Sequence, residues 1–450
     1  MNLHVLFEKT SPHKLFFMAA IPGSVSMLAS ALFQLIDGIF VGRFLGEKAF
    51  AALNLALPFV FINFALADLI GVGSAVPISI CLGRKKEKEA NNIFTCSCIL
   101  IVCTGFLIGA VLFAAAPPLI RLMGAKGEFA GHAIQYMRVY ALCSPVTTIV
   151  FAMDNYLRIC GKVRTSMLLN ILMSVLSVVF EFVFLAVMGW GIWAAALATC
   201  LGMGICSILA LAPFFRGTMQ LHFCRPHFSI RMIKQIMLCG SPNFLNTVAG
   251  RMTSILMNII LIRFGGETAV SIYGILMYAD GFVQPLLYGL CDSMQPAVGY
   301  NWGAGKYSRV RKIEKYCFVT SAILSAAAVF VIFTFPGQIA ALFMKHRNTE
   351  FMTSAIEALK LFGISYFVRW FSFAVQSLMI AVEKPVQASV ISISTAFVFP
   401  VLLLGALWPL KLAGLWLNFP GTSILAAILS VAVMLQFRKE MIQEDIKNGD

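Results

Sequence analysis

Five acidic side chains lie inside long apolar stretches of this chain, where an ionised carboxylate is costly. They are Asp37, Asp68, Glu181, Asp280 and Asp292. A desolvated carboxylate either takes up a proton or pairs with a cation. Two carboxylates joined by hydroxyl or carbonyl oxygens could also bind a hard cation such as sodium. The chemistry that these residues could support is therefore reversible binding of a proton or a small cation.

A glycine-rich stretch at 295–312, QPAVGYNWGAGKYSRVRK, suggests phosphate binding as a second chemistry. A phosphate-binding P-loop has the pattern G-x-x-x-x-G-K-[ST], in which the final hydroxyl binds magnesium. Here five residues separate Gly299 from Gly305, and Tyr307 follows Lys306. The spacing and the missing hydroxyl exclude a nucleotide-binding loop of this type.

The elements that must position the acids are membrane-spanning helices. The 450 residues are 60% hydrophobic and only 12% charged, whereas soluble domains carry about 25% charged residues. Apolar runs of about 20 residues recur, and lipid forces such runs to be helical. We predict an all-α polytopic membrane protein with twelve transmembrane helices, at about 16–41, 50–80, 93–115, 131–156, 165–188, 192–215, 236–262, 269–298, 313–335, 355–381, 386–408 and 412–437.

The formal net charge of +14 is a topology signal. Most Lys and Arg residues fall on alternate connections between the spans. The positive-inside rule then places both termini in the cytoplasm. We expect a multi-pass protein of the plasma membrane, which is the inner membrane in a bacterium. Membrane lipid is an expected partner of the basic loops, whereas nucleic acid is not.

The chain contains an internal repeat. Pro22 to Lys86 aligns with Pro242 to Lys306 without a gap, and RFLGEKA at 43–49 recurs as RFGGETA at 263–269. Each copy starts after an even number of crossings, which predicts parallel repeats and two six-helix lobes. We predict an N-terminal lobe at 1–215, a cytoplasmic linker at 216–234 and a C-terminal lobe at 235–450. GYNWGAGK is then the second copy of the turn that ends the second span.

Four stretches in order resemble the multidrug and toxic compound extrusion (MATE) family: IDGIFVGRFLGEKAFAALNLALP (36–58), SPNF (241–244), NIILIRFGGETAVSIYGI (258–275) and QPAVGYNWGAGKYSRV (295–310). The resemblance implies a secondary active antiporter that exports amphiphilic cationic drugs or toxic compounds by alternating access. Protons or sodium would enter in exchange. It implies a monomer driven by an ion gradient, with neither a cofactor nor a nucleotide.

The resemblance also implies a cation-coupling site in the N-terminal lobe. One branch of the family has an Asp on the first helix, an N-x-x-x-D pair on the fifth and a Thr on the sixth. Asp37 fits the first position, Ser177 and Glu181 fall at the pair, and Thr199 fits the last. The Ser and Glu replacements leave proton or sodium coupling open, with sodium at Asp37 and Glu181 as the metal to consider. The alternative is structural, since such groups also link or pack helices.

Polar residues in or near the middle of spans are candidates for substrate binding: Gln34, Asn155, Asn258, Asp280 and Gln284. The intramembrane cations Arg251 and Arg369 need acidic partners, so a structural ion pair with Asp280 is an open alternative.

Pro22 lies inside the first span and removes a backbone hydrogen bond. The resemblance suggests a helix bend at Pro22 linked to protonation; a static kink is the alternative.

Two other functions fit the sequence less well. A lipid-linked oligosaccharide flippase of related two-lobe architecture would need a strongly cationic cavity, and Arg251 and Arg369 are balanced by acids. An intramembrane enzyme would need a set of catalytic residues such as H-E-x-x-H. The sequence lacks this motif, and every His lies in a loop or at the end of a span. We therefore expect no enzymatic activity.

Overall fold

The computed structural model describes residues 5–122, 126–341 and 349–448. The predicted cytoplasmic termini, Met1 and Asp450, lie outside these ranges. Within them all regular secondary structure is helical. The composition explains this, because a helix satisfies its backbone hydrogen bonds internally in an apolar solvent.

Eleven helices in the described residues are long and apolar enough to cross a membrane, and a bent pair makes a twelfth. They are α1 (Pro12–Leu45), α2 (Lys48–Gly83), α3 (Glu87–Leu122), α4 (Gly127–Ile159), α5 (Val163–Val187), α6 (Ile192–Phe215), α7 (Ile230–Gly266), α8 (Thr268–Gly303), α9 (Tyr307–Thr334), α10 (Glu350–Ile364 with Tyr366–Ala381), α11 (Pro385–Ala406) and α12 (Trp408–Met441). The predicted all-α membrane fold is confirmed.

Several helices run past the predicted spans at ends rich in basic residues. α7 begins at Ile230 and α9 at Tyr307, while α12 continues to Met441. Lys and Arg are good helix formers. The helix can therefore continue after the hydrophobic pattern that marks the membrane has ended.

α10 is bent by 42° between Ile364 and Tyr366, within the span that the sequence predicts at 355–381. No proline or glycine stands at the break itself. The hydroxyl of Ser325 on α9 donates a hydrogen bond to the Tyr366 carbonyl over 2.5 Å. At the break itself, the Ser365 N–H donates to the Phe362 carbonyl over 3.0 Å, three residues back instead of the four of an α-helix.

The chain forms two compact units. The first unit contains Met1–Thr10 and Val25–Phe244, and the second contains Ser11–Ser24 and Leu245–Asp450. The start of α1 therefore belongs with the C-terminal helices, and the start of α7 belongs with the N-terminal helices. The division into lobes at 1–215 and 235–450 stays a prediction.

Glycines allow the equivalent helix crossing in each unit. In the second unit, a β-carbon on Gly23 of α1 would lie 2.7 Å from the Gly289 carbonyl oxygen of α8. In the first unit, a β-carbon on Gly240 of α7 would lie 1.8 Å from the Leu69 carbonyl oxygen of α2. Leu69 and Gly289 are equivalent in the repeat, so α1 meets α8 where α7 meets α2.

The GYNWGAGK stretch ends α8 in a tight turn. Lys306 donates its backbone N–H to the Asn301 carbonyl over 2.9 Å, and Gly305 has φ +72°. In the first copy, Lys86 donates to the Cys81 carbonyl over 2.8 Å, and Lys85 has φ 60°. A left-handed residue after the last turn, with a bond reaching back five residues, is a common way to end a helix.

Candidate functional site

Asp37 on α1 and Glu181 on α5 lie side by side in the first unit. Asp37 is 8% exposed and Glu181 is 0% exposed, and their carboxyl groups interact electrostatically with each other. The two carboxyl groups lie within hydrogen-bonding reach of each other. Asp37 Oδ1 and both carboxyl oxygens of Glu181 are buried, and no other described residue donates a hydrogen bond to them. The pair links α1 to α5 and also has oxygens that a proton or a cation could bind.

Ser177 and Thr199, the two other predicted members of the site, lie on α5 and α6, which pack against each other. Ser177 is one turn before Glu181 and only 1% exposed, and its Oγ has no hydrogen-bond partner among the described residues. It packs against Gly202, one turn after Thr199 on α6. Thr199 is also buried, and its Oγ1 donates to the Ala195 carbonyl over 3.4 Å. The free lone pairs of the Thr199 hydroxyl can still accept or coordinate.

Two tyrosines on α4 complete the cluster, and the sequence analysis did not single them out. Tyr136 interacts electrostatically with Asp37 and Glu181. Tyr140 interacts with Asp37 and contacts the side chains of Thr199 and Tyr136. Both tyrosines are buried, with ring centroids 5.2 Å apart. Their spacing of four residues in an apolar span was the available signal, since it puts two hydroxyls on one helix face.

A π-helical turn follows each of the two acids. Val41–Leu45 follows Asp37 by one turn, and Val183–Val187 begins two residues after Glu181. The two turns contact each other. π-Helical turns are rare and are often found at functional sites. Two further π-helical turns, Val5–Lys9 and Ser394–Val398, lie away from the two acids, so the turns alone do not identify the site.

The cluster can bind a proton or a small hard cation. It presents two carboxylates, one serine hydroxyl without a partner, one threonine hydroxyl and two phenols. Oxygen ligands of this kind suit hard cations. The described residues contain no group of three or more His, Cys, Asp and Glu side chains that could hold a metal ion. A metal bound here would therefore be held by hydroxyls beside the two carboxylates, as is usual for sodium.

The candidate substrate residues have several environments. Gln34 is exposed, and Asn258 and Asn155 are half-buried. Asn155 donates its Nδ2 to the Phe151 carbonyl over 3.0 Å, which is a local bond within α4. Gln284 on α8 contacts the Tyr288 hydroxyl, which also accepts a bond from Asn246 Nδ2 over 2.7 Å.

Asp280 on α8 forms an ion pair in the second unit. Its Oδ1 lies 3.0 Å from Arg369 Nη1, its Oδ2 lies 3.5 Å from Arg369 Nη2, and Tyr366 also donates its hydroxyl to Oδ1. The charge of Asp280 is thereby balanced. Asp292 accepts bonds from Gln295 and Ser377, over 2.9 and 3.0 Å.

Pro22 is buried in α1, and the helix continues through it without a break from Pro12 to Phe40. A bend linked to protonation stays a prediction.

The chain matches known transporters along most of its length. The MatE family model matches residues 22–183 and 242–404. The multidrug export protein MepA of Staphylococcus saprophyticus is 26% identical over 342 residues, which cover 75% of each chain. Its counterpart in Staphylococcus aureus strain MSSA476 is 23% identical over 421 residues, 90% of this chain and 92% of that protein.

Solved structures share the fold. A crystal structure described as MATE in complex with MaL6 superposes with a TM-score of 0.92 at 23% identity, covering 99% of this chain and 100% of that one. An outward-facing multidrug resistance MATE family transporter of the MOP superfamily also gives 0.92, at 24% identity and 99% coverage of both chains.

Proposed function

Because this chain belongs to the MatE family, we propose that it is a secondary active antiporter that exports drugs and toxic compounds by alternating access. The exported molecules are small amphiphilic organic cations, and protons or sodium ions enter in exchange. Family membership makes the chain a membrane transporter and not an enzyme.

The observation that carries this proposal is the buried pair of interacting carboxyl groups, Asp37 and Glu181. Two like charges in contact in a medium of low dielectric constant repel each other strongly. One proton shared by the pair, or one sodium ion between them, removes most of that repulsion. The site therefore favours binding of one small cation, with Ser177 and Thr199 as further oxygen ligands.

Cation binding can be coupled to export through charge. An organic cation near the site favours release of the bound proton or sodium ion, and rebinding of that ion from outside favours release of the organic cation. A coupling free energy of about 1–3 kcal/mol between two sites changes affinity about 5- to 150-fold. Electrostatics at close range can supply a difference of this size.

The substrate class is supported by the relatives, which are named multidrug export proteins. Gln34, Asn155, Asn258 and Gln284 are proposed to contact substrate. Asp280 would do so together with Arg369, since the two form one neutral group.

The ion pair of Asp280 with Arg369 also helps to judge the alternative function, a lipid-linked oligosaccharide flippase. A flippase of this kind would use unpaired cationic side chains to bind pyrophosphate. Arg369 lies in an ion pair with Asp280. This arrangement favours drug export over the flippase.

The charge distribution supports a plasma-membrane protein with both termini in the cytoplasm. We propose that it acts as a monomer, since one chain supplies every side chain of the cation site.

The test is transport in proteoliposomes with the purified protein and a fluorescent organic cation. A pH gradient and a sodium gradient are imposed separately, each with the membrane potential clamped. We expect uptake of the organic cation when one of the two gradients is imposed and no uptake without it. The gradient that drives uptake identifies the coupling ion. Equal uptake with and without both gradients contradicts the proposal.

A further inference from the structure

The guanidinium of Arg369 on α10 lies against Asp280 of α8 as a bound organic cation would. Arg369 Nη1 donates to Asp280 Oδ1 over 3.0 Å, and Nη2 donates to Oδ2 over 3.5 Å. Arg369 Cζ lies 5.3 Å from the centroid of the Phe373 ring and 5.8 Å from that of Tyr366. A carboxylate flanked by aromatic rings is a common binding site for organic cations. We call Asp280, Tyr366 and Phe373 the cation box.

Asp280 has a second support that does not involve Arg369. Tyr366 donates its hydroxyl to Asp280 Oδ1. Tyr366 is itself fully buried, its ring lies 5.6 Å from that of Phe362, and its carbonyl accepts the bond from Ser325. The carboxylate would therefore keep its position if the long arginine side chain moved away.

Arg369 has fewer polar partners than Arg158, which forms an ion pair in the first unit. Arg158 contacts Asp154 over 2.7 Å and also donates its Nε to Ser166 over 3.2 Å, and its side chain is 6% exposed. Among the described residues the Arg369 guanidinium donates to Asp280 alone, and its side chain is 20% exposed. A charged side chain in an apolar span faces the bundle interior or a water-filled cavity. A dissolved cation can therefore approach this ion pair.

We propose that Arg369 is a built-in competitor for the cation box, and that a substrate cation takes its place at Asp280. This inference rests on the proposed export function. The ligand is a planar cation with N–H donors, an amidinium or a guanidinium, because the box already accepts this shape and this pattern of bonds. Exchange keeps a cation beside Asp280 before and after binding, so the carboxylate is not left buried without a partner.

Competition by a side chain of the same protein weakens substrate binding. The substrate can bind only to the fraction of molecules in which Arg369 has left Asp280, and its apparent affinity is reduced by that fraction. The return of Arg369 to Asp280 also favours substrate release. Removal of a competitor tightens binding, whereas removal of a contact residue or a structural partner does not. The sign of the change in affinity therefore distinguishes these roles.

The test measures binding of p-aminobenzamidine, a fluorescent planar amidinium, to the purified protein in detergent. Arg369→Gln removes the charge, and Arg369→Lys keeps the charge but lacks the planar pair of donors. Arg138→Gln on α4 is the matched control. Arg138 also lies over an aromatic ring, 4.8 Å from the Phe113 centroid, but its Nε donates to the Phe113 carbonyl and not to a carboxylate. The double variant Asp280→Leu with Arg369→Met removes the carboxylate together with its partner.

A competitor predicts a definite order of affinities. The dissociation constant should fall about tenfold in Arg369→Gln, which corresponds to Arg369 occupying Asp280 in about nine-tenths of the unliganded molecules. It should fall about threefold in Arg369→Lys and stay within about twofold in Arg138→Gln. The double variant should bind at least about tenfold more weakly than the wild-type protein, because the carboxylate is gone.

An unchanged or higher dissociation constant in Arg369→Gln, or no binding by that variant, overturns the proposal. Equal tightening in Arg138→Gln also overturns it, because loss of any positive charge would then explain the result. If Arg369→Gln does not fold, Arg369→Lys decides: tighter binding supports the competitor, and unchanged or weaker binding overturns it. Failure of the proposed export function is a separate result, since it would appear as a lack of gradient-driven transport by the wild-type protein, whereas these constants are measured without a gradient.

Discussion

Gly202 on α6 provides the space that the Ser177 side chain of α5 occupies. A β-carbon on Gly202 would lie 2.4 Å from Ser177 Oγ and 3.1 Å from the Met173 carbonyl oxygen. The position of one oxygen of the cation site therefore depends on a glycine in the neighbouring helix.

Gly202→Ala should both destabilise the protein and weaken ion coupling. Overpacking of this kind costs about 1–3 kcal/mol, and the Ser177 hydroxyl would have to leave its present position. Thermal unfolding in detergent and gradient-driven transport measure the two effects. Gly204→Ala is the matched control, since its nearest neighbour would be Val146 Cγ1 at an ordinary 3.5 Å. Identical behaviour of the two alanine variants would count against this packing argument.

Asp37→Asn should abolish gradient-driven efflux and leave the protein folded. The amide has nearly the shape of the carboxyl group but cannot carry a proton at neutral pH or balance a sodium ion. Efflux in proteoliposomes and thermal unfolding check the two parts of the statement. Asp292→Asn should remain active, because its oxygen can still accept the bonds from Gln295 and Ser377. An Asp37→Asn protein that transports normally would refute the coupling site.

Glu181→Gln should shift the pH profile of proton-driven transport toward acid. Asp37 and Glu181 repel each other when both are ionised, and this repulsion favours the pair that holds one proton. Without it, a higher proton concentration is needed to load the site, so the optimum moves to lower pH. Initial rates across a pH series, with the gradient size held constant, measure the shift. An unchanged profile together with loss of sodium dependence would instead identify a sodium site.

Asp280→Asn should destabilise the protein more than removal of both charges. The substitution leaves Arg369 without its carboxylate, and breaking a buried ion pair from one side costs about 3–5 kcal/mol. The double variant Asp280→Leu with Arg369→Met should lose much less, because no unpaired charge remains. The midpoints of thermal unfolding of the two variant proteins are compared. A double variant that is less stable than Asp280→Asn would show that the ion pair is itself stabilising.

A cysteine placed at Thr218 should react only from the cytoplasmic side. Thr218 lies in the connection after α6, which the positive-inside rule places in the cytoplasm with both termini. The background must lack the native cysteines, since exposed Cys224 lies in the same connection. A membrane-impermeant maleimide applied to intact cells and to inverted vesicles makes the comparison. Labelling in intact cells would show that Thr218 lies outside the cell and that the predicted orientation is wrong.

Much of the fold followed from the hydrophobic pattern, because a bilayer requires long apolar helices. The break in α10 could not be predicted in this way. It coincides with the bond from Ser325 to the Tyr366 carbonyl, and that contact joins residues far apart in sequence. Segment 11–24 belongs to the second unit and segment 230–244 to the first. This placement also depends on contacts between residues far apart in sequence, so the hydrophobic pattern could not predict it.

The candidate site was predicted in part. The resemblance placed Asp37 and Glu181 together, but Tyr136 and Tyr140 were not singled out, since aromatic residues in an apolar span are usually packing residues. Which face of α4 meets the acids depends on how that helix packs against α6. Gln34 illustrates the opposite problem. A spacing of three residues puts Gln34 near Asp37 on α1. The two side chains nevertheless differ by about 60° in direction around the helix axis, and Gln34 is exposed while Asp37 is buried.

The crossing of the chain between units has a consequence for how such a protein can be divided. The change of unit falls between Ser24 and Val25 in α1 and between Phe244 and Leu245 in α7, two and three residues after the equivalent prolines Pro22 and Pro242. Each unit therefore takes the first turns of one helix from the other half of the chain. The protein, cut in the connection after Phe215, should regain transport only when both halves are made in the same cell.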